Sequence, residues 1–407
     1  QRNQSAPPSA STALGFRATQ LDPARDPCVS LYEHVNGRWA NTTMLADNQS
    51  RWHISTALEQ RARTQQRALA EQLATLPAPT PARRVVADLW TSGMDESHIN
   101  SDRLRPLRGE LAAIDALSSP RDIEHHLQQL TLKGRNPVFG LVVEPDMGNR
   151  STQIAYAYQG GLGLPSAAHY LSARQAALHR DYRAYIAALL ELSGIPADQA
   201  HNDALAAFAL EQRLATASTS RAELRDNLAE TYNPMNASEA DALTPNFRWS
   251  GLFEVLGVDP AIRFSLATPG FHREVSAALA DTDVATWRAY LRFHCLDTAS
   301  PHLDDRFVRT MHDFQQRLLG VNQTVAPRWQ RVLGSIDAYA GDAMGEVYVG
   351  AHFPADVRGR ISQMVEQMRM VLKRRLATAL WLDPDTRGTA PAKADLLTPR
   401  LRQPNHW

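Results

Sequence analysis

Histidine and cysteine, the residue types that most often hold a catalytic metal, form no recognised ligand pattern in this sequence. A helix that binds zinc through His-Glu-x-x-His needs two histidines one turn apart and a glutamate that activates water. None of the 14 histidines has another histidine four positions away, and none is followed by glutamate. The sequence therefore predicts no catalytic metal site and no catalytic residue within these 407 residues.

Two looser groupings of these residue types remain. His125 and His126 are adjacent on a predicted helix, where neighbouring side chains point about 100° apart and do not share one metal-facing side. His294, Cys295 and His302 are of ligand type, but their spacing matches no zinc pattern. We expect all five side chains to be ordinary core or surface residues.

Nucleophile and phosphate-binding motifs are also missing from the sequence. The Gly-x-Ser-x-Gly motif of serine hydrolases does not occur. The glycine-rich stretch at 161–165 (GLGLP) lacks the Gly-x-Gly-x-x-Gly spacing and a following lysine, which argues against nucleotide binding.

Arg51 is the side chain that we consider a candidate for binding an anion. Ser50 is a plausible N-cap for a long helix, and Arg51 would then lie in the first turn, where backbone N–H groups favour an anion. A guanidinium group binds a carboxylate through two parallel hydrogen bonds. The alternative is an ordinary surface or capping arginine. The helix is predicted from an apolar stripe of Ile54, Leu58, Ala62, Gln65, Leu69, Leu73 and Leu76.

Composition limits the class of protein. Lys+Arg and Asp+Glu both number 43, and this balance argues against nucleic acid as a partner. No apolar run reaches the roughly 18 residues of a membrane span. Residues 1–21 begin with a Ser/Ala/Pro-rich stretch, which predicts a disordered leader such as the tether left by a removed signal peptide.

Hydrophobic periodicity predicts a mainly α-helical protein with a small β-hairpin insertion. The insertion comprises strands within 136–145 and 151–159, joined by a turn at 146–149. Helical spacing covers most of the rest, and the length suits two lobes. The predicted helices are 51–76, 83–97, 103–117, one starting at Pro120, 181–192, 203–217, 221–228, one within 231–253, 285–297, 304–318, 328–350 and 355–380.

The order of several short blocks resembles the N-terminal portion of the neprilysin-type (M13) zinc metallopeptidases. The resemblance extends over about residues 26–407. Its blocks are DPCVSLYEHVNGRW (26–39), Ser50-Arg51, LWTSGMDESHIN (89–100), GLGLP with Tyr170, YNPM (232–235) with Trp249, PRWQRV (327–332), MGEVYVGAHF (344–353) and WLDPDTRGTAPAKADLL (381–397).

The resemblance implies a division of the chain by function. Residues 22–49 would form an opening segment that packs on a catalytic lobe. Residues 50–330 would form a helical lid lobe that encloses the substrate. Residues 331–407 would lead into the catalytic lobe, which these residues do not contain. This lobe would carry the zinc.

The resemblance also implies roles for single residues. Arg51 corresponds to a family arginine that helps to bind the C-terminal carboxylate of a peptide substrate in eukaryotic members. Glu59 replaces a second family arginine, which puts a dipeptidyl-carboxypeptidase preference in doubt. Cys28 corresponds to a cysteine whose disulfide partner lies near the family's C-terminus.

The function implied is the non-catalytic portion of a zinc metalloendopeptidase, which orients peptides for hydrolysis by a lobe on the same or another chain. Zinc would belong to the full enzyme, and the location would be periplasmic or extracellular. One alternative is a stand-alone, inactive lid that binds peptides or regulates a partner peptidase. Another is a helical scaffold without a peptide site.

Overall fold

The structure is a computed structural model that describes residues 21–43, 53–76, 80–322, 324–353 and 355–397. These residues are mainly helical with one small sheet, which confirms the predicted fold class. The strands are β1 (Phe139–Pro145), β2 (Gln153–Gln159), β3 (Pro234–Met235) and β4 (Phe264–Leu266). The α-helices are α1 (Leu31–Thr42), α2 (Ile54–Thr75), α3 (Pro81–Met94), α4 (Glu96–Asp102), α5 (Arg108–Asp115), α6 (Pro120–Leu132), α7 (Ala168–Leu171), α8 (Ala176–Leu192), α9 (Ala197–Ala217), α10 (Arg221–Asp226), α11 (Leu228–Thr231), α12 (Ala237–Leu243), α13 (Trp249–Leu256), α14 (Pro269–Asp281), α15 (Val284–Ala299), α16 (Asp305–Leu319), α17 (Arg328–His352), α18 (Ala355–Ala377) and α19 (Pro384–Asp395).

The chain forms two compact units. The first combines Gln1–Asp95 with Gln323–Trp407, and the second is Glu96–Asn322. The predicted lid lobe, 50–330, therefore does not coincide with one compact unit, because α2 and α3 belong with α17 in the first unit. The enclosure of a substrate by residues 50–330 stays a prediction, because the division into compact units does not test it.

The first unit is built on α2, α3 and α17. α3 and α17 approach closely where Gly93 meets Val332: a Cβ on Gly93 would lie 2.8 Å from Val332 Cγ1, so a larger residue there would force Val332 to move. Thr80 accepts a hydrogen bond from the backbone N–H of Arg83 and thereby caps α3. The buried side chains are Ala70, Leu73, Val86, Ala87, Trp90, Val332, Leu333, Ile336 and Met344.

The second unit surrounds a larger core and contains the sheet. The strand order is β1-β2-β4-β3, with β1 and β2 antiparallel and β4 parallel to β2. The predicted hairpin is confirmed, with Phe139 opposite Gln159 and Pro145 opposite Gln153. Its extension by β3 and β4 was not predicted, because two- and three-residue strands are too short to show an alternating pattern. Within the described ranges, no helix is long and apolar enough to cross a membrane.

Candidate functional site

The long helix predicted to start at about residue 51 begins about three residues later in the structure. α2 begins at Ile54, and His53 is its N-cap residue, without a side-chain hydrogen bond to the first turn. Ser50 and Arg51 lie outside the described residues. The carboxylate-binding role of Arg51 therefore stays a prediction. Glu59, at the position of the second family arginine, is exposed on α2.

Polar contacts fix α2 against α17. Tyr348 Oη donates a hydrogen bond to Gln65 Oε1 at 2.7 Å, and the guanidinium carbon of Arg67 lies 4.9 Å from the ring centre of Trp329. The predicted apolar stripe is only partly buried, because Leu58 and Leu76 are 50% and 52% exposed. Ala70 and Leu73 of α2 are buried, so contacts in the middle and the second half of the helix hold it against α3 and α17.

A buried carboxyl group in the second unit gives the GLGLP block a physical explanation. Glu211 on α9 is fully buried. It accepts hydrogen bonds from Tyr182 Oη at 3.0 Å and from Tyr170 Oη at 2.9 Å. His294 Nε2 lies 2.8 Å from Glu211 Oε1, but without the alignment that a hydrogen bond needs. Burial raises the pKa of both tyrosines well above the ordinary range, so each hydroxyl keeps its proton and donates it.

The loop glycines make room for this network. A Cβ on Gly163 would lie 2.0 Å from Tyr182 Oη, and Gly161 has a φ of +84°, which favours glycine. The backbone N–H of Leu164 donates to Tyr170 Oη at 2.8 Å, and Tyr290 Oη donates to the carbonyl of Gly161. The block thus holds the loop to α8, α9 and α15. The carboxyl group of Glu211, at the centre of this network, is fully buried, so we assign the network a structural role.

The structure directs the adjacent side chains of His294 and Cys295 to different partners. His294 contacts Glu211, whereas the Cys295 thiol lies beside Glu110. Burial raises the pKa of Cys295 to about 12, which makes it a poor nucleophile and a poor metal ligand at neutral pH. His126 is partly buried, and this burial lowers its pKa. In the part of the chain that the structure describes, no group of three His, Cys, Asp or Glu side chains is arranged to hold a metal ion.

The remaining sequence blocks of the second unit also pack as structural contacts. Tyr232 Oη donates to Asp146 Oδ1 at 2.6 Å, which ties the YNPM block to the turn between β1 and β2. This hydrogen bond lowers the pKa of Asp146. Trp249 is buried and its Nε1 donates to Thr244 Oγ1 at 3.1 Å.

Exposed apolar side chains are concentrated in the first unit. On and after α18, Met368, Leu380 and Trp381 are 64%, 90% and 79% exposed, and Leu396 at the end of α19 is 81% exposed. Tyr32 on α1 is 71% exposed. Soluble proteins rarely leave clustered large apolar side chains in water without a partner that covers them.

Comparison with known proteins decides the family. The sequence model described as "Peptidase family M13", which represents the N-terminal region of that family, matches residues 27–404. The chain belongs to peptidase family M13. The predicted resemblance is therefore confirmed.

Relatives within the family are peptidases of animals and bacteria. The chain is 24% identical over 397 residues to endothelin-converting enzyme 1 of Rattus norvegicus, which covers 95% of this chain and 52% of the relative. Among solved structures, zinc metalloprotease Zmp1 of Mycobacterium tuberculosis in complex with an inhibitor matches with 25% identity and a TM-score of 0.82, covering 93% of this chain and 58% of Zmp1. PepO of Lactobacillus rhamnosis, at 22% identity and a TM-score of 0.78, shows the same fold. The chain spans about half the length of the curated relatives that it matches.

Sequence reasoning missed Glu211, Tyr182 and His294 as a group. A signal was present, because Glu211 interrupts an otherwise apolar helical stripe of Ala204, Ala207, Phe208 and Leu214 on α9. A charged residue at such a position is buried only with hydrogen-bond partners. Its partners come from α7, α8 and α15, and no local pattern connects those segments.

Proposed function

We propose that this chain is the non-catalytic, substrate-enclosing portion of an M13 zinc metalloendopeptidase. Hydrolysis of the peptide bond would take place on a zinc-bearing lobe outside these 407 residues. The zinc of that lobe would activate water and polarise the peptide carbonyl. The residues of this chain do not fit the metal themselves, because no His-Glu-x-x-His occurs in the sequence.

The observation that carries the proposal is the exposed apolar surface of the first unit. Leu380, Trp381 and Leu396, at the ends of α18 and α19, present large side chains to solvent. Burial of these side chains by a partner would stabilise the complex by about 1.5–3 kcal/mol of transfer free energy for each leucine-sized side chain. A chain that spans about half of its relatives' length supports the catalytic lobe as that partner. The opening segment, 22–49, would contribute Tyr32 to the same contact.

Arg51 is the proposed contribution of this chain to substrate binding. A planar guanidinium group near the start of α2 would bind the C-terminal carboxylate of a peptide. The partners would be peptide substrates and the catalytic lobe, on the same polypeptide or on a separate one. The proposed location is periplasmic or extracellular, as the family resemblance implies.

A substrate-size series tests the enclosing role. The native enzyme, isolated from its source, would be given one cleavable sequence in three contexts: a short quenched peptide, a peptide of about 40 residues, and a loop grafted into a folded protein. An enclosing lid predicts that kcat/KM falls steeply between the long peptide and the folded protein. Equal cleavage of all three substrates would contradict the proposal. Unfolding the carrier protein should restore cleavage, which controls for the grafted sequence itself.

A further inference from the structure

Helices α18 and α19 form a hairpin that buries almost none of its own side chains. Among the side chains that the structure describes between residues 355 and 397, only Ala394 is buried. Helix α9, which is of similar length to α18, buries eight side chains. Most of the stability of a helix in a protein comes from the packing of its apolar face and not from helix propensity. The hairpin therefore lacks the packing that would keep it folded by itself.

The sequence of α19 weakens the hairpin further. Pro391 lies inside this helix, where it has no N–H to donate and where its ring crowds the preceding turn. Gly388 adds a second unfavourable residue, since glycine loses more backbone freedom than other residues when a helix forms. Asp383 caps the helix by accepting hydrogen bonds from the N–H groups of Asp385 and Thr386, but a cap does not replace a core. A helix of 12 residues with these two interior residues needs a partner to remain folded.

Large apolar side chains form an exposed stripe along α18, which we call the α18 stripe. Its members, Met364, Met368, Val371 and Leu372, lie on one side of the helix, because they are spaced by four, three and one residues. All four side chains are exposed. Methionine has a flexible, polarisable side chain that adapts to the surface of a partner. The stripe therefore has the composition of a docking surface.

Polar contacts fix the shape of the hairpin. Lys373 Nζ on α18 lies 2.7 Å from Asp395 Oδ2 on α19. Arg387 Nε donates to the carbonyl of Ala379 at 3.0 Å, and its Nη2 donates to the carbonyl of Leu382 at 2.7 Å. The ion pair is partly exposed to water and adds little stability. These contacts set the arrangement of the two helices but do not replace the missing core.

We propose that α18 and α19 stay folded only when the zinc-bearing lobe covers the α18 stripe. The conformation described here is then the one that the hairpin has in that contact. This inference rests on the proposed function, which supplies the partner. The chain spans about half the length of its curated relatives, so the part that it does not span is large enough to cover a hairpin of this size. The covering surface would be apolar at its centre, to match the stripe.

Amide hydrogen exchange followed by mass spectrometry tests this dependence on the lobe. The 407-residue chain and the native enzyme would be compared, with α9 and α15 as internal references because both belong to the core of the second unit. In the chain alone, we expect the amides of 355–397 to exchange within seconds, while α9 and α15 stay protected. In the native enzyme, we expect exchange of 355–397 to be at least about a hundredfold slower.

A charged substitution in the α18 stripe tests where the lobe docks. In the chain alone, Met368→Asp should change the exchange of 355–397 by less than about twofold, because the side chain is exposed there. In the native enzyme, the same substitution would bury an unpaired carboxylate, and exchange of 355–397 should become at least about tenfold faster. Met147→Asp, at an exposed position in the turn between β1 and β2, is the matched control and should have no effect on 355–397 in either sample.

Three results would overturn the proposal. Slow exchange of 355–397 in the chain alone would show that the hairpin is stable without a partner. Fast exchange in the native enzyme, or no effect of Met368→Asp there, would show that the lobe does not cover the stripe. Failure of the proposed function is recognised separately, by a native mass of 45.1 kDa without zinc on the same sample. Protection of 355–397 in that sample by anionic phospholipid vesicles, or by raised protein concentration, would assign the stripe to a membrane or to a second copy instead.

Discussion

Tyr182 Oη and Glu211 Oε1 lie 3.0 Å apart in the interior of the second unit, where the carboxyl group is fully buried. Tyr170 satisfies the other carboxyl oxygen. The pair joins α8 to α9, and the GLGLP loop closes over it. The GLGLP block is thus explained by its packing against the hydrogen bonds of one buried carboxyl group.

Removing this carboxyl group should destabilise the second unit. Glu211→Ala leaves two buried tyrosine hydroxyls without acceptors, and we expect a loss of about 3–5 kcal/mol in the free energy of unfolding. Glu211→Gln keeps one carbonyl oxygen and should lose less, about 1–2 kcal/mol. Urea-induced unfolding followed by near-UV circular dichroism measures both. Glu254→Ala, at an exposed position on α13, is the control and should change stability by less than about 0.5 kcal/mol.

The close approach of Gly163 to Tyr182 makes a second prediction. Gly163→Ala places a methyl group where the Tyr182 hydroxyl lies, so the tyrosine must move away from Glu211. We expect a loss of about 1–3 kcal/mol. Gly109→Ala is the matched control, since a Cβ there meets no atom within 4 Å and the residue lies in α5. If Gly163→Ala is as stable as Gly109→Ala, the tight packing of the loop is not as described.

The burial of His272 leads to a prediction of how the free energy of unfolding depends on pH. It is buried, its Nε2 lies 3.1 Å from the carbonyl of Ala157, and burial lowers its pKa from 6.5 to about 4. The unfolded chain therefore binds a proton more readily. The stabilisation is present above pH 6.5 and is lost as the pH falls toward 4.

Between pH 7 and pH 5 this one group should cost about 2 kcal/mol of stability. His272→Gln has no proton to gain, so its stability should change less with pH by that amount. Urea unfolding of both proteins at the two pH values gives the comparison. Parallel pH dependences would show that His272 is not the titrating group.

Arg51 makes a prediction about the native enzyme. A charge-assisted pair with the substrate carboxylate implies that Arg51→Ala raises KM about ten- to a hundredfold for peptides with a free C-terminus. Peptides with an amidated C-terminus lack the partner and should be hydrolysed as before. Arg84→Ala, at an exposed position on α3, serves as the control. An equal effect on both peptide forms would assign Arg51 a structural role instead.

The sequence predicted the hairpin and most of the long periodic helices, although α8 and α9 begin five and six residues before their predicted starts at 181 and 203. α6, α15, α16 and α17 lie within two residues of their predicted starts, because each combines a helical apolar period with a cap or a proline. α14 was missed, although Thr268 precedes it and Pro269 is its first residue. Thr268 begins this helix from a left-handed conformation, φ 53°, which is unusual for threonine and has no sequence signal.

The division into units could not be predicted from local patterns. α2 and α3 join α17 through contacts more than 200 residues apart in sequence, such as the hydrogen bond from Arg328 Nε to the carbonyl of Gly93. The same holds for Glu211, whose partners come from three other segments. Arg51 is a different case from Glu211. Its proposed role comes from the family resemblance and does not depend on contacts between distant segments.

The most direct test of the central claim is the intact mass of the native protein, with zinc measured on the same sample. The account predicts a mass well above 45.1 kDa, or a second co-purifying chain, and about one zinc per assembled enzyme. A mass near 45.1 kDa with no second chain and no zinc would contradict it. The protein would then be a stand-alone lid that binds peptides or regulates a separate peptidase.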